Sequence, residues 1–284
     1  MTFTLFRPES WTAPVVVSSP HSGRDYPDDF LRASVLDGRA IRSSEDAFVD
    51  LLFDGAPDLG MPLIAAHAPR AYIDLNRAAE ELDPAVVEGV ARQGHNPRVS
   101  SGLGVIPRVV GGGRAIYRGK IAPAEAAMRI DRHWRPYHRA LGELVAECRA
   151  CFGQAVLIDC HSMPHEALDG HARPGQRRAD VILGDRFSAA ASRDVVDRIE
   201  AAFTGVGLRV SRNTPFAGAY ITQTYGRPSQ RQHAVQIEID RALYMDERTI
   251  TPRPDFHAFR ALIQAALAEI ALLGGSGRQP LAAE

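Results

Sequence analysis

Two histidines of this chain stand where a short apolar run breaks into small residues. In VVVSSPHSG, the β-branched residues 15–17 give way to Ser18, Ser19, Pro20 and His21. In AVLIDCHSMPH, the run through Val156, Leu157 and Ile158 ends in Asp159, Cys160, His161 and Ser162. Each run is too short for a good helix and reads as a strand buried on both faces. Ligands of open α/β sheets sit outside the carboxyl ends of the strands, so two such imidazoles can meet at one sheet edge. Alternation puts Asp159 on the side of His161, where it can orient the ring. A catalytic zinc site takes three protein ligands and leaves one position open. The acidic pair Glu45-Asp46 offers the missing carboxylate. Ser43-Ser44-Glu45-Asp46 also reads as a helix N-terminus with a Ser cap and first-turn acids, so ligation and capping compete for that pair.

Two further stretches carry polar chemistry. Tyr72-Ile73-Asp74-Leu75-Asn76-Arg77 alternates apolar and polar residues like a half-buried strand and ends in an amide beside a guanidinium. Arg suits bidentate capture of a carboxylate; a surface salt bridge accounts for Arg77 equally well. In AVQIEI, residues 234–239, Gln236 and Glu238 share one face and Val235, Ile237 and Ile239 the other. The Glu238 carboxylate therefore faces either solvent or a site.

The elements that must position these groups alternate between strand and helix patterns. Residues 63–66 and 181–183 read as strands, and 208–210 as a shorter one. Residues 123–152 carry Met128, Trp134, Tyr137, Leu141, Leu144, Val145 and Cys148 at helical spacing, with Pro136 predicted to kink the helix or split it in two. His133 and His138 lie on it and read as packing or surface histidines. Cys148 and Cys151 are helical neighbours rather than a redox pair. Residues 188–203, with Ser188 as cap, and 256–273 are further helices. Residues 80–121 form a long Gly-rich loop, a candidate lid without a phosphate-loop pattern. Residues 165–178 form a second loop, and 213–228 a turn-rich loop around a short β segment. The Gly/Ser/Pro-rich tail, 274–284, is expected to be flexible. The whole chain, 1–284, is expected to be a single domain.

Composition narrows the class. The chain has 284 residues, 45% of them hydrophobic, enough for a large core. A formal net charge of −1 gives no basic footprint for nucleic acid. No apolar run approaches membrane-spanning length, and the start lacks a signal-peptide pattern. Three cysteines, an odd number, argue against a disulfide framework and fit a reducing cytoplasm.

In the order SPHSG (19–23), EDAFVD (45–50), RAYIDLNR (70–77), GVIPR (104–108), WRPYH (134–138), DCHSMP (159–164), NTPFAGAYIT (213–222), YGRP (225–228) and QIEID through YM (236–245), the chain resembles the N-formylglutamate amidohydrolase family. That family is similar, more distantly, to the zinc carboxypeptidases, aspartoacylase and succinylglutamate desuccinylase. The resemblance implies a three-layer α/β fold with a mixed, mostly parallel sheet and helices on both faces. It implies one zinc per chain, with His21 and His161 as ligands. The relatives carry a Glu three residues after the first His, where this chain has Arg24. The carboxylate ligand is then expected from the 45–46 pair, with Asp46 favoured. By the same resemblance Arg70 polarises the carbonyl, Asn76, Arg77 and Tyr220 bind substrate, and Glu238 is the general base. The implied reaction is hydrolysis of an N-acyl amino acid, N-formyl-L-glutamate foremost, in the cytoplasm as part of histidine degradation. Gln223 departs from the family pattern, which has Arg there, and so points away from a second substrate carboxylate. The rival readings are the same chemistry on another N-acyl amino acid or small acyl-peptide, and an idle relative that binds a small carboxylate. His21, Arg70, His161 and Glu238 occurring together favour an enzyme.

Overall fold

The computed structural model describes residues 2–91, 96–171 and 177–274. Seven strands make one sheet: β1 Phe3–Phe6, β2 Val15–Ser19, β3 Leu63–Ala66, β4 Ala155–Met163, β5 Val181–Gly184, β6 Val210–Arg212 and β7 Gln232–Asp240. Their spatial order is β1-β3-β2-β4-β7-β5-β6. Strands β3, β2, β4 and β7 run parallel to one another. Strand β1 is antiparallel at one edge, and β5 runs antiparallel to β7 with β6 parallel to it. The expected mixed, mostly parallel sheet is therefore present.

Both sheet faces are covered, because the central strands are apolar on both sides. On one face Val15, Val17, Ile158, Cys160, Val235 and Ile237 pack against α3 (Arg193–Gly205), α5 (Phe256–Ala271) and the short helix Val49–Leu52. On the other, Val16, Ile64, Leu157 and Ala234 meet α1 (Pro123–Arg129), α2 (Arg135–Phe152) and α4 (Tyr220–Tyr225). This second face changes character along the strands. Ala155 and Leu157 of β4 are followed on the same side by Asp159 and His161, and Ala234 of β7 by Gln236 and Glu238. The apolar half seats the helices, and the polar half, at the carboxyl ends, forms the floor of a cavity.

Several local expectations are corrected. Residues 72–77 are not a strand: the Tyr72 and Ile73 N–H groups donate to the Pro69 carbonyl, and Asp74 N–H to Val105. The alternation there arises because Ile73 and Leu75 enter the second core while Asp74 and Asn76 line the cavity. The helix read from Ser43 begins instead at Val49, after Phe48 at φ 66°. Residues 123–152 are two helices joined by a five-residue π-helical turn, Ile130–Trp134. Pro136 falls in the first turn of α2, directly after that π-helical turn, so the split expected there is present. Helix α3 starts at Arg193, not Ser188, because Arg186, Phe187 and Ser188 all have positive φ. The β segment expected within 213–228 is the helix α4, whose Ile221 and Tyr225, one turn apart, enter the second core. The strand read at 208–210 lies two residues later, as β6.

The long loop 80–121 carries a four-residue helix, Pro97–Ser100, and a ribbon of Val109–Val110 with Arg114–Ala115. Part of the second loop, 172–176, and the tail from 275 lie outside the described residues. Cys148, Cys151 and Cys160 are free thiols. Among the described residues, no helix is long and apolar enough to cross a membrane.

Candidate active site

A cavity of about 370 Å³ opens at the carboxyl ends of β2, β4 and β7. His21 reaches it from the turn after β2, and His161 from β4 itself. Asp46 is brought beside them because its N–H donates to the His21 carbonyl at 3.0 Å. His21, Asp46 and His161, all buried, form a group that could hold a metal ion, with one donor atom of each within 4.8 Å of the others. Asp46 Oδ2 lies 3.0 Å from His161 Nδ1 and 3.4 Å from His21 Nδ1. A tetrahedral ion with bonds of about 2.0–2.1 Å sets its ligands roughly 3.4 Å apart. His21 Nδ1 has no hydrogen-bond partner although it is buried, which is how a metal-ligating nitrogen looks without its ion.

The atoms of these three side chains that face away from the shared point are each held. His21 Nε2 donates to Asp74 Oδ1 at 2.7 Å, and Asp74 Oδ2 accepts from Arg70 Nε at 3.1 Å. His161 Nε2 donates to Asp159 Oδ2 at 3.0 Å. With Nε2 protonated in both rings, both Nδ1 lone pairs are left for a cation. Asp46 Oδ1 accepts from Arg241 Nη2 at 2.9 Å and from Ser162 Oγ at 3.2 Å, which turns Oδ2 toward the histidines.

The electrostatics favour positive charge at the shared point. Burial works against ionised Asp46, yet the two imidazoles and Arg241 hold its carboxyl well below the usual carboxylate range. Burial likewise opposes a charged His161, but Asp159, Asp46 and Glu238 outweigh it and raise its pKa. Glu238 behaves in the opposite way. Burial, with the Asp46 charge adding to it, pushes its carboxyl up to about 7 against the opposing pull of His161, Arg70 and Arg241. One of its oxygens, Oε1, accepts from Gln236 Nε2 at 2.8 Å.

Glu45 sits apart from the metal-binding group: its carboxylate takes Arg42 Nε and Nη2 at 2.8 and 3.0 Å and the Tyr26 hydroxyl. Arg70 and Arg77 line the cavity. Arg77 donates Nε to the Leu103 carbonyl and Nη1 to that of Asn76, so only part of its fork faces inward. The Asn76 amide is engaged at both ends, with Nδ2 donating to Asp159 Oδ2 and Gln236 Oε1, both at 3.4 Å, and Oδ1 accepting the Ile221 N–H at 2.8 Å. Asn76 thus lines the cavity with its amide already held by protein partners. Tyr220 is not on the cavity wall; its ring packs against Trp134 and His138. Gln223 is exposed on α4 and also off the wall. His138 is a packing histidine, with Nε2 donating to the Leu75 carbonyl at 2.8 Å. Residue types alone did not single out Arg241, Asp74 or Ser162. All three lie inside the motif stretches, so the signal was their neighbourhood: each stands within three residues of a singled-out group.

Residues 13–245 match the family model of the N-formylglutamate amidohydrolases. The chain is 33% identical to an N-formylglutamate deformylase of Pseudomonas aeruginosa over 92% of its length and 94% of the relative's. It is 29% identical to an N-formylglutamate deformylase of Pseudomonas putida over 90% and 92%. In three dimensions it is similar to the crystal structure of an N-formylglutamate amidohydrolase from Ralstonia eutropha JMP134, with a TM-score of 0.89 and 36% identity over 96% of this chain and 98% of that one.

Proposed function

We propose, from the premise that this chain belongs to the N-formylglutamate amidohydrolase family, that it is a zinc-dependent deformylase converting N-formyl-L-glutamate and water to formate and L-glutamate. The observation that carries the reading is the convergence of His21 Nδ1, Asp46 Oδ2 and His161 Nδ1, with the opposite atom of each side chain tied to Asp74, Arg241 or Asp159. The two Pseudomonas relatives, both N-formylglutamate deformylases, support the choice of substrate. We read the chain as one catalytic domain with one zinc, acting in the cytoplasm on a small N-acyl amino acid.

Amide hydrolysis needs a stronger nucleophile than neutral water and a stronger electrophile than a resting amide carbonyl. A zinc ion on these three donors would supply Lewis acidity to both. Glu238 accepts a proton from the attacking water and returns it to the amine as the C–N bond breaks and the new C–O bond completes formate. A carboxyl raised toward neutrality by burial suits both halves of that exchange. Arg70, braced through Nε by Asp74, presents the rest of its guanidinium to the oxygen that gains charge. One such donor is worth roughly 3 kcal/mol of transition-state stabilisation. Arg77 holds the substrate's α-carboxylate with the part of its guanidinium not engaged by Leu103 and Asn76.

Release of formate or free amine by the purified protein, assayed across N-formyl, N-acetyl and N-succinyl amino acids, tests this reading. The expected result is fastest turnover of N-formyl-L-glutamate. Preference for an N-acetyl or N-succinyl substrate would keep the chemistry and replace the substrate; no hydrolysis of any would remove both.

A further inference from the structure

Four arginines line the cavity: Arg70, Arg77, Arg98 and Arg241. Two are matched by acids, Arg70 with Asp74 and Arg241 with Asp46. Among the described residues, neither Arg77 nor Arg98 has a carboxylate within ion-pair distance. Arg77 is instead fixed by backbone carbonyls.

The two are linked through one residue. The Arg98 carbonyl accepts the Leu103 N–H at 2.8 Å, and the Leu103 carbonyl accepts Arg77 Nε at 2.9 Å. Arg98 belongs to the short helix Pro97–Ser100, whose start is held by Asn96 accepting the N–H groups of Arg98 and Val99. Asn96 Nδ2 in turn donates to Glu81 at 3.1 Å. Arg77 is buried and Arg98 exposed, so they mark a deep and an outer point of one wall. Burial pushes the Arg77 pKa down; the Asp74 and Glu81 charges oppose this, and the positive charges of Arg70 and Arg98 add to it. Like charges held together cost free energy in the empty protein, and bound anions offset that cost.

We propose that Arg98 is a specificity-determining residue that receives the side-chain carboxylate of a dicarboxylic N-acyl amino acid. With the acyl group at His21, Asp46 and His161 and the α-carboxylate at Arg77, the substrate side chain extends outward to Arg98. The assignment rests on the deformylase reading for its placement of the acyl group. It also replaces the role expected of position 223, where Gln223 is exposed and off the cavity wall.

Calorimetric titration of L-glutamate and L-glutamine into the wild type, Arg98→Gln and Arg98→Lys tests the assignment without turnover. The wild type is expected to prefer L-glutamate by about tenfold or more, the size of one charge-assisted contact. Arg98→Gln should abolish that preference and Arg98→Lys restore part of it. A wild type without the preference, or Arg98→Gln that keeps it, overturns the proposal. Turnover of N-formyl-L-glutamate is then measured separately. Its absence alongside an Arg98-dependent preference would remove the deformylase reading and leave this assignment standing.

Discussion

His161 and Glu238 are register partners on the adjacent parallel strands β4 and β7. One rung of the sheet therefore carries both a member of the metal-binding group and the proposed proton acceptor. Asp159 and Gln236, two residues earlier on each strand, form the rung below and brace them: Asp159 on His161 Nε2 and Gln236 on Glu238 Oε1. The spacing of His161 and the proposed base is thus set by sheet register.

That geometry makes Glu238→Gln a clean test. The substitution keeps size and the contact to Gln236 but removes the proton acceptor. Metal content should be retained and kcat should fall about 10²–10⁴-fold. Burial and Asp46 raise Glu238 to about 7 in the protein without its ion, and a bound dication draws it lower. The wild-type kcat/KM should therefore fall as acid protonates the base, with an acid limb below pH 7 that the variant lacks. Asp240→Asn is the control, because Asp240 accepts from His165 and Ala242 N–H and is off the cavity wall; it should cost far less. Near-normal kcat in metal-loaded Glu238→Gln would end this assignment.

Arg241 acts through Asp46. Its three nitrogens go to Ser162 Oγ, the Ser43 carbonyl and Asp46 Oδ1. Groups that orient a ligand typically change metal affinity by about 10–100-fold. Arg241→Gln should weaken zinc affinity by that factor, read by competition with a chromophoric chelator. Wild-type affinity in the variant would reduce Arg241 to a tether between β7 and residue 43.

Arg77→Lys keeps the charge but loses the planar fork that also holds the Leu103 and Asn76 carbonyls. KM for N-formyl-L-glutamate should rise about tenfold, with a smaller fall in kcat from misplaced substrate. Unchanged steady-state kinetics would make Arg77 a purely structural group.

His138 gives the fold a pH dependence separate from catalysis. Burial pushes its pKa down to about 4, with the Leu75 carbonyl and Asp159 opposing only in part. An unfolded His takes up its proton near 6.5. Between those values the unfolded chain binds more protons, so stability is lost as pH falls from about 6.5 to about 4, by about 3 kcal/mol in all. Urea unfolding in chelator at pH 7 and pH 5 should show His138→Gln losing about 2 kcal/mol less than the wild type over that interval. Equal losses would place the acid sensitivity elsewhere.

Much of the site was legible because its anchors end apolar strands. SPHSG and DCHSM each announce a buried strand delivering a His, and the QIEI alternation separates Glu238 from the core. The residues alone left the 45–46 choice open, since adjacent acids look alike until Arg42 and Tyr26 take Glu45 and the Asp46 N–H bonds to the His21 carbonyl; the family resemblance favoured Asp46, the acid that lies beside the two histidines. Residues 72–77 misled because a turn buried between a core and a cavity produces the same alternation as a half-buried strand. Tyr220 falls off the cavity wall because a motif says which residues occur together, not which side of each reaches the cavity. Arg98 gave no local signal at all. A polar residue in a Gly-rich loop acquires meaning only once the loop folds against Leu103 and Arg77.

The central claim is that His21, Asp46 and His161 hold a zinc ion on which hydrolysis depends. Its most direct test is metal stoichiometry measured together with formate release from N-formyl-L-glutamate, for the wild type as purified, after chelation and after zinc is restored, and for His161→Ala. The account predicts about one zinc per chain, loss of activity on chelation and its recovery with zinc. It also predicts a His161→Ala protein that keeps its circular dichroism spectrum but neither binds zinc nor turns over, since the sheet has apolar cores on both faces. Full deformylase activity in the chelated wild type, or one tightly bound zinc in His161→Ala, would contradict it.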